Sequence, residues 1–118
     1  MSKCSFYRWI YSRAVGRQVA VKTEGGKFET KDGFLMYYYK AHNSKTRTYD
    51  YEVILPSCGM AVCSASRLKD AKALTEELMP KILEKCANPE FIRTENRFIE
   101  LIEEARVREQ FGEEPVTF

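Results

Sequence analysis

The amino-acid pattern predicts an α+β fold: an antiparallel sheet of about four to five strands, followed by two helices packed on one of its faces. Three observations carry this expectation. Apolar residues alternate with period two up to residue 64 and recur at helical spacing from residue 65. Gly-Gly, Asp-Gly and Pro-Ser-Cys-Gly punctuate the first half at the short intervals that hairpins need. Asn88-Pro89-Glu90 reads as an N-cap, a first helical residue and an acid near the positive helix end.

Residues 6–13 are rich in aromatic and branched side chains, which favours a strand. The alternative there is a short helix capped by Gly16. Residues 18–23 alternate through Val19 and Val21. Glu24-Gly25-Gly26-Lys27 reads as a hairpin turn, because two glycines allow positive φ, with 27–30 as a short return strand. Asp32-Gly33 is a second turn. Strands are then expected over 34–40, 48–55 and 60–64, the last two joined by Pro56-Ser57-Cys58-Gly59.

In the helical half, Ser66 is the expected N-cap, with Leu68, Ala71, Leu74, Leu78 and Ile82 as the apolar stripe. Glu77 and Lys81 stand four apart in the favourable order. Pro80 should kink or split this helix, since it has no N–H and its ring crowds the preceding turn. In the second helix Phe91, Phe98, Ile102 and Ala105 form the stripe and Gly112 the end. The 118 residues read as a single domain, strand-rich over 1–64 and helical over 65–112, with a short tail at 113–118 where Val116 and Phe118 could dock.

The most distinctive stretch is FLMYYYKAHNSKTRTYDYEVILP, residues 34–56, with five tyrosines. Pairing Lys40 with Thr48 sets Tyr39 beside Tyr49, Tyr37 beside Tyr51 and Leu35 beside Val53, an apolar and aromatic face suited to cover by helices. Asp50 and Glu52 then share the opposite, outer face with Tyr38 and Lys40. A slip of one residue would mix Tyr37 and Tyr39 with the two acids. On this register the rings lie in the strands and the basic residues in a loop over 41–47. That loop is either a solvated turn or a binding loop carried on rigid strands.

Residues 1–55 carry ten Lys/Arg and five Asp/Glu; residues 56–118 carry nine and twelve. The halves are thus +5 and −3, and the basic one suits an anionic partner. Arg8, Arg13, Arg17, Lys40, His42, Asn43, Lys45 and Arg47 are the candidate binding residues. Glu95, Glu100, Glu103, Glu104 and Glu109 could present a negative surface, but Arg93, Arg97, Arg106 and Arg108 intersperse them, as on a solvated helix face.

Recognisable catalytic chemistry is absent from the pattern. Gly25-Gly26-Lys27 lacks the spaced glycine and the Ser/Thr of a phosphate loop. Four cysteines, at 4, 58, 63 and 86, include no CxxC pair, and His42 is the one histidine. Neither a metal nor another cofactor is expected, and buried free thiols are the simpler reading. Asp50 and Glu52 form too small an acidic set for a metal nuclease. No apolar run reaches the length of a membrane span, and Arg8 and Arg13 interrupt any leader-like stretch, so a cytoplasmic protein is expected.

Residues 60–83, a short strand followed by SRLKDAKALTEEL, resemble the end of a double-stranded RNA-binding domain, whose last helix opens with basic residues near phosphates. Lys69, Ala71 and Lys72 carry the likeness, over about a fifth of the chain. Asp70 and Pro80 depart from it, as does the lack of a helix before the sheet, and no family is assigned.

The leading functional expectation is therefore a small non-enzymatic binding or accessory protein acting through a protein partner. Its most specific form is a phage or mobile-element inhibitor of a host defence nuclease. The alternative is a nucleic-acid-binding module using the basic loop and the N-terminal arginines. Self-association through Phe98, Ile102 and Phe111, or through a sheet edge, is a third expectation.

Overall fold

A computed structural model describes residues 3–43 and 45–111. Five strands, β1 (Cys4–Ser12), β2 (Arg17–Glu29), β3 (Leu35–Asn43), β4 (Thr48–Ile54) and β5 (Ala61–Ala65), precede two helices, α1 (Leu68–Ala87) and α2 (Pro89–Gln110). The strands form an antiparallel meander in chain order. The expected α+β architecture is the one found. The first strand is a strand, and Gly16 (φ 75°) closes the β1–β2 turn instead of capping a helix.

Gly25 and Gly26 are not in a turn. They lie inside β2, a single 13-residue strand, and the expected return strand is its second half. Up to Gly25, β2 pairs with β1; from Gly26 onward it pairs with β3. The glycines are needed for space, not for positive φ. A Cβ on Gly25 would run into the Tyr38 carbonyl, and one on Gly26 into the Tyr38 ring. Tyr38 thus lies directly on bare backbone where the strand changes partners.

There the sheet curls. In a flat sheet β1 and β3, on either side of β2, would be about 10 Å apart, twice the strand spacing. Instead Phe6 of β1 stacks on Tyr37 of β3, with centroids 4.7 Å apart and planes within 1°. At the far edge the Trp9 N–H donates to the Gly59 carbonyl in the β4–β5 turn (2.8 Å). A one-residue bulge at Val62 bends that end of the sheet: Val53 pairs with Cys63 but Ile54 with Ala61.

Curling gives the sheet two buried faces. Phe6, Val19 and Ile54, each at most 5% exposed, share the inner face with Tyr37 and Tyr39. The other face bears both helices. Ala71 and Met79 of α1 pack with Met36 and Val53, flanked by Phe28, Tyr38 and Tyr51. Phe98 and Leu101 of α2 pack with Ala20, flanked by Tyr7 and Trp9.

The helices differ from expectation in detail. The N-cap of α1 is Arg67, not Ser66, and its guanidinium pairs with Asp70 (3.0 Å). The stripe facing the sheet is Ala71, Thr75 and Met79, while Leu74 points outward. Thr75 can be buried because its hydroxyl donates to the Ala71 carbonyl (2.9 Å). Helix α1 runs through Pro80 without splitting, and Pro80 is exposed. Asn88 caps α2 as expected, its Oδ1 accepting from the Glu90 N–H (3.0 Å). Leu101, not Ala105, completes the buried stripe of α2. Gly112 and the tail lie outside the described residues.

Phe98 holds α2 to the sheet. Its ring stacks near Trp9 (6.2 Å between centroids) and rests on Gly59, whose φ of 70° and lack of Cβ both suit the site. Two outcomes are expected in urea unfolding. Gly25→Ala should cost about 1–3 kcal/mol and exceed Gly26→Ala, because a backbone carbonyl cannot swing aside as a ring can. Phe98→Ala should cost about 3–5 kcal/mol and red-shift the emission of Trp9, the one tryptophan.

Candidate functional site

The β3–β4 hairpin has a register different from the expected one. Tyr38 faces Val53, Tyr39 faces Glu52, Lys40 faces Tyr51 and His42 faces Tyr49. The expected pairing of Lys40 with Thr48 is off by three residues, an odd number, so β4 turns its other face to each side chain of β3. Burial of Val53 and Ile54 against opposite sides of the curled sheet outweighs a single all-aromatic face. The loop also shortens. His42 and Asn43 belong to β3, and the connection spans 44–47, with Arg47 at φ 56°. Ser44 lies outside the described residues.

Inside the curl, Tyr37 and Tyr39 share a face with Asp50 and Glu52, the mixing that the expected register avoided. It is tolerated because β1 covers this face. Phe6 covers Tyr37, and the Arg8 guanidinium sits 4.6 Å from the Tyr39 ring centre while its Nε donates to Thr23 (2.9 Å). Burial pushes the Tyr39 phenol up to about 12; Arg8 opposes the shift and Glu52 adds to it. The acids expected on the outside are thus on the inner face, with Arg8 among them.

The helix-bearing face of the same hairpin extends beyond the residues that α1 covers. Lys40, His42, Tyr49 and Tyr51 lie together there. The Lys40 ammonium is 5.9 Å from the Tyr49 ring centre and 5.8 Å from that of Tyr51. His42 meets Tyr49 edge-on at 5.3 Å, and Tyr49 is 57% exposed. Lys45 and Arg47 stand exposed in the adjoining turn. The patch combines aromatic faces with cations; the hairpin's own acids, Asp50 and Glu52, are on the opposite side of the strands, while Glu24 of β2 lines one hollow with Lys40 and Tyr51.

The candidate residues therefore fall into groups. Lys40, His42, Asn43, Lys45 and Arg47 belong to the β3–β4 hairpin. Arg13 is exposed in the β1–β2 turn, and Arg8 is turned into the curl. Arg17 is held by Glu104 of α2 (2.8 Å), a half-exposed pair of modest strength. Tyr49 and Tyr51 were missing from the expected set because the assumed register turned them inward.

Three of the six acids of α2 are answered within the fold. Glu104 pairs with Arg17, Glu100 with Arg97 (2.8 Å), and Glu109 accepts from the Tyr7 hydroxyl (3.1 Å). The outward side of α2 carries Ile92, Ile99 and Val107, exposed by 56%, 55% and 50%. Phe98, at 2% exposed, is core and cannot serve as a self-association contact; Phe111 is exposed. Among the described residues no three His, Cys, Asp or Glu side chains converge as metal ligands, and no helix is long and apolar enough to cross a membrane.

Comparison with protein-family models, curated proteins and solved structures finds no match to this chain.

The buried phenol makes a testable statement about pH. An unfolded tyrosine loses its proton near 10.0, whereas folded Tyr39 keeps it to about 12. Its contribution to stability is complete below pH 10 and is lost as pH rises toward 12. Urea midpoints measured across this window should fall more steeply for the parent than for Tyr39→Phe.

Proposed function

We propose that this protein is a non-enzymatic binding module whose outer β3–β4 hairpin engages single-stranded nucleic acid. The observation that carries this reading is the cluster of Lys40, His42, Tyr49 and Tyr51, with Lys40 near both tyrosine rings. Single strands bind where bases stack on exposed rings and cations meet the phosphates between them. Tyr49 supplies the most exposed ring, and Lys40 and Arg47 the phosphate contacts. The distribution of charge supports the reading, since Asp50 and Glu52 lie on the inner face of the hairpin. A cytoplasmic setting belongs to the same proposal, because its reducing conditions suit four free thiols.

A protein partner is the second reading, favoured by a different observation. Ile92, Ile99 and Val107 are exposed on the side of α2 opposite its buried residues. Such a row suits an apolar contact with another protein or a second copy of this chain. A phage or mobile-element inhibitor of a host defence nuclease is the narrowest form of this reading and would use the same helix.

Fluorescence anisotropy with labelled 12-nucleotide DNA and RNA tests the first reading. With two phosphate contacts, log K should fall against log salt with a slope of about −1.4. Tyr49→Ala should weaken binding by roughly 5- to 100-fold, the loss of one stacked base. Absence of binding at low salt would sink this reading. The second fails if a nuclease-treated pull-down from the native host recovers the same proteins with Ile99→Glu as with the parent chain.

A further inference from the structure

Away from the hairpin patch, a cavity of ≈ 340 Å³ opens between α1, the β4–β5 turn and the start of α2. Its size is at the lower end of the range for small-molecule sites, about 300–1,000 Å³. The walls are apolar, formed by Leu55, Met60, Val62, Leu78, Ile82 and Phe91. The Cys58 thiol also lines it, and burial pushes its pKa up, so it stays neutral. Thr94 adds a hydroxyl.

Two cations border these walls. Lys81 and Lys85 stand one helical turn apart on α1, and both line the cavity. Neither has an ion-pair partner among the described residues. Glu77, four residues before Lys81, does not close the pair that the sequence spacing suggested. Two ammonium groups that close no ion pair, beside an apolar hollow, suit a ligand with an anionic head and an apolar body, although Glu95 lies close enough to Cys58 to act on its thiol. A neutral apolar molecule would leave the lysines unanswered. A highly charged anion would leave the walls unfilled.

We propose that this cavity binds a small amphipathic carboxylate of the medium-chain fatty-acid class. The carboxylate lies between Lys81 and Lys85, and the chain runs against Leu55, Ile82 and Phe91. The site is separate from the hairpin patch, so either assignment can fail without the other.

Calorimetric titration of the full chain with hexanoate, octanoate and decanoate, each below its micelle concentration, tests the proposal. Affinity should rise about fourfold per added methylene until the cavity is full. Decanol should bind at least about tenfold more weakly than decanoate, since it lacks the charge that the lysines meet. The double variant Lys81→Glu/Lys85→Glu changes only exposed side chains, so it should keep the parent's circular dichroism and lose decanoate binding. Methyl resonances of Leu55, Val62 and Ile82 should shift with decanoate. The proposal is overturned if decanoate shows no saturable binding, if the folded double variant binds it as the parent does, or if the shifted resonances lie elsewhere.

Discussion

The fold depends on the close approach of Tyr38 to the backbone of Gly25 and Gly26. At that point β2 exchanges β1 for β3 as its partner, and any Cβ there would collide with Tyr38. Because the contact is so close, the sheet curls there instead of lying flat. The curl lets Phe6 reach Tyr37 and lets Trp9 bond to the Gly59 turn. It also sets the β1–β2 hairpin where α2 can dock, with Phe98 over Gly59 and beside Trp9.

A curled sheet buries apolar residues on both faces, and this explains the divided use of the tyrosines. Tyr37 and Tyr39 are enclosed with Phe6 and Arg8. Tyr38 packs under α1. Tyr49 projects past the end of that cover. The acids follow the same division: Asp50 and Glu52 are on the inner face, where Arg8 is at hand, and they leave the outer hairpin to Lys40 and His42. The cation–aromatic patch is thus a consequence of how the core is built.

The helices impose a comparable division. Helix α1 buries Ala71, Thr75 and Met79, and its next side carries Lys81 and Lys85 to the rim of an apolar hollow floored by the β4–β5 turn. Helix α2 directs Phe91, Phe98 and Leu101 inward, spends several of its acids on ties to Arg17, Tyr7 and Arg97, and leaves isoleucines outside. Three separate surfaces result: an aromatic cationic hairpin, a lysine-bordered cavity and an apolar helix side. Each has chemistry suited to a different kind of partner.

Local signals sufficed for the strand-rich half before the helical half, the two helices, the Asn88 cap and the Asp32-Gly33 turn, because each depends on residues a few positions apart. The same signals marked the β3–β4 hairpin as the place to look for a contact surface, through its basic residues. They did not reveal the register. Alternation shows which residues share a face within one strand, but pairing across strands is decided by total burial, and here both faces were buried. Nor could they distinguish a glycine pair that turns the chain from one that lets Tyr38 lie against it. That difference is made by a side chain twelve residues away in sequence, as is the exposure of Tyr49 by the end of a helix still further on. The sequence by itself determined that strands precede two helices and where the charge and aromatic residues lie along the chain. Only the tertiary structure decided which of those residues meet, because the contacts that settle it are non-local.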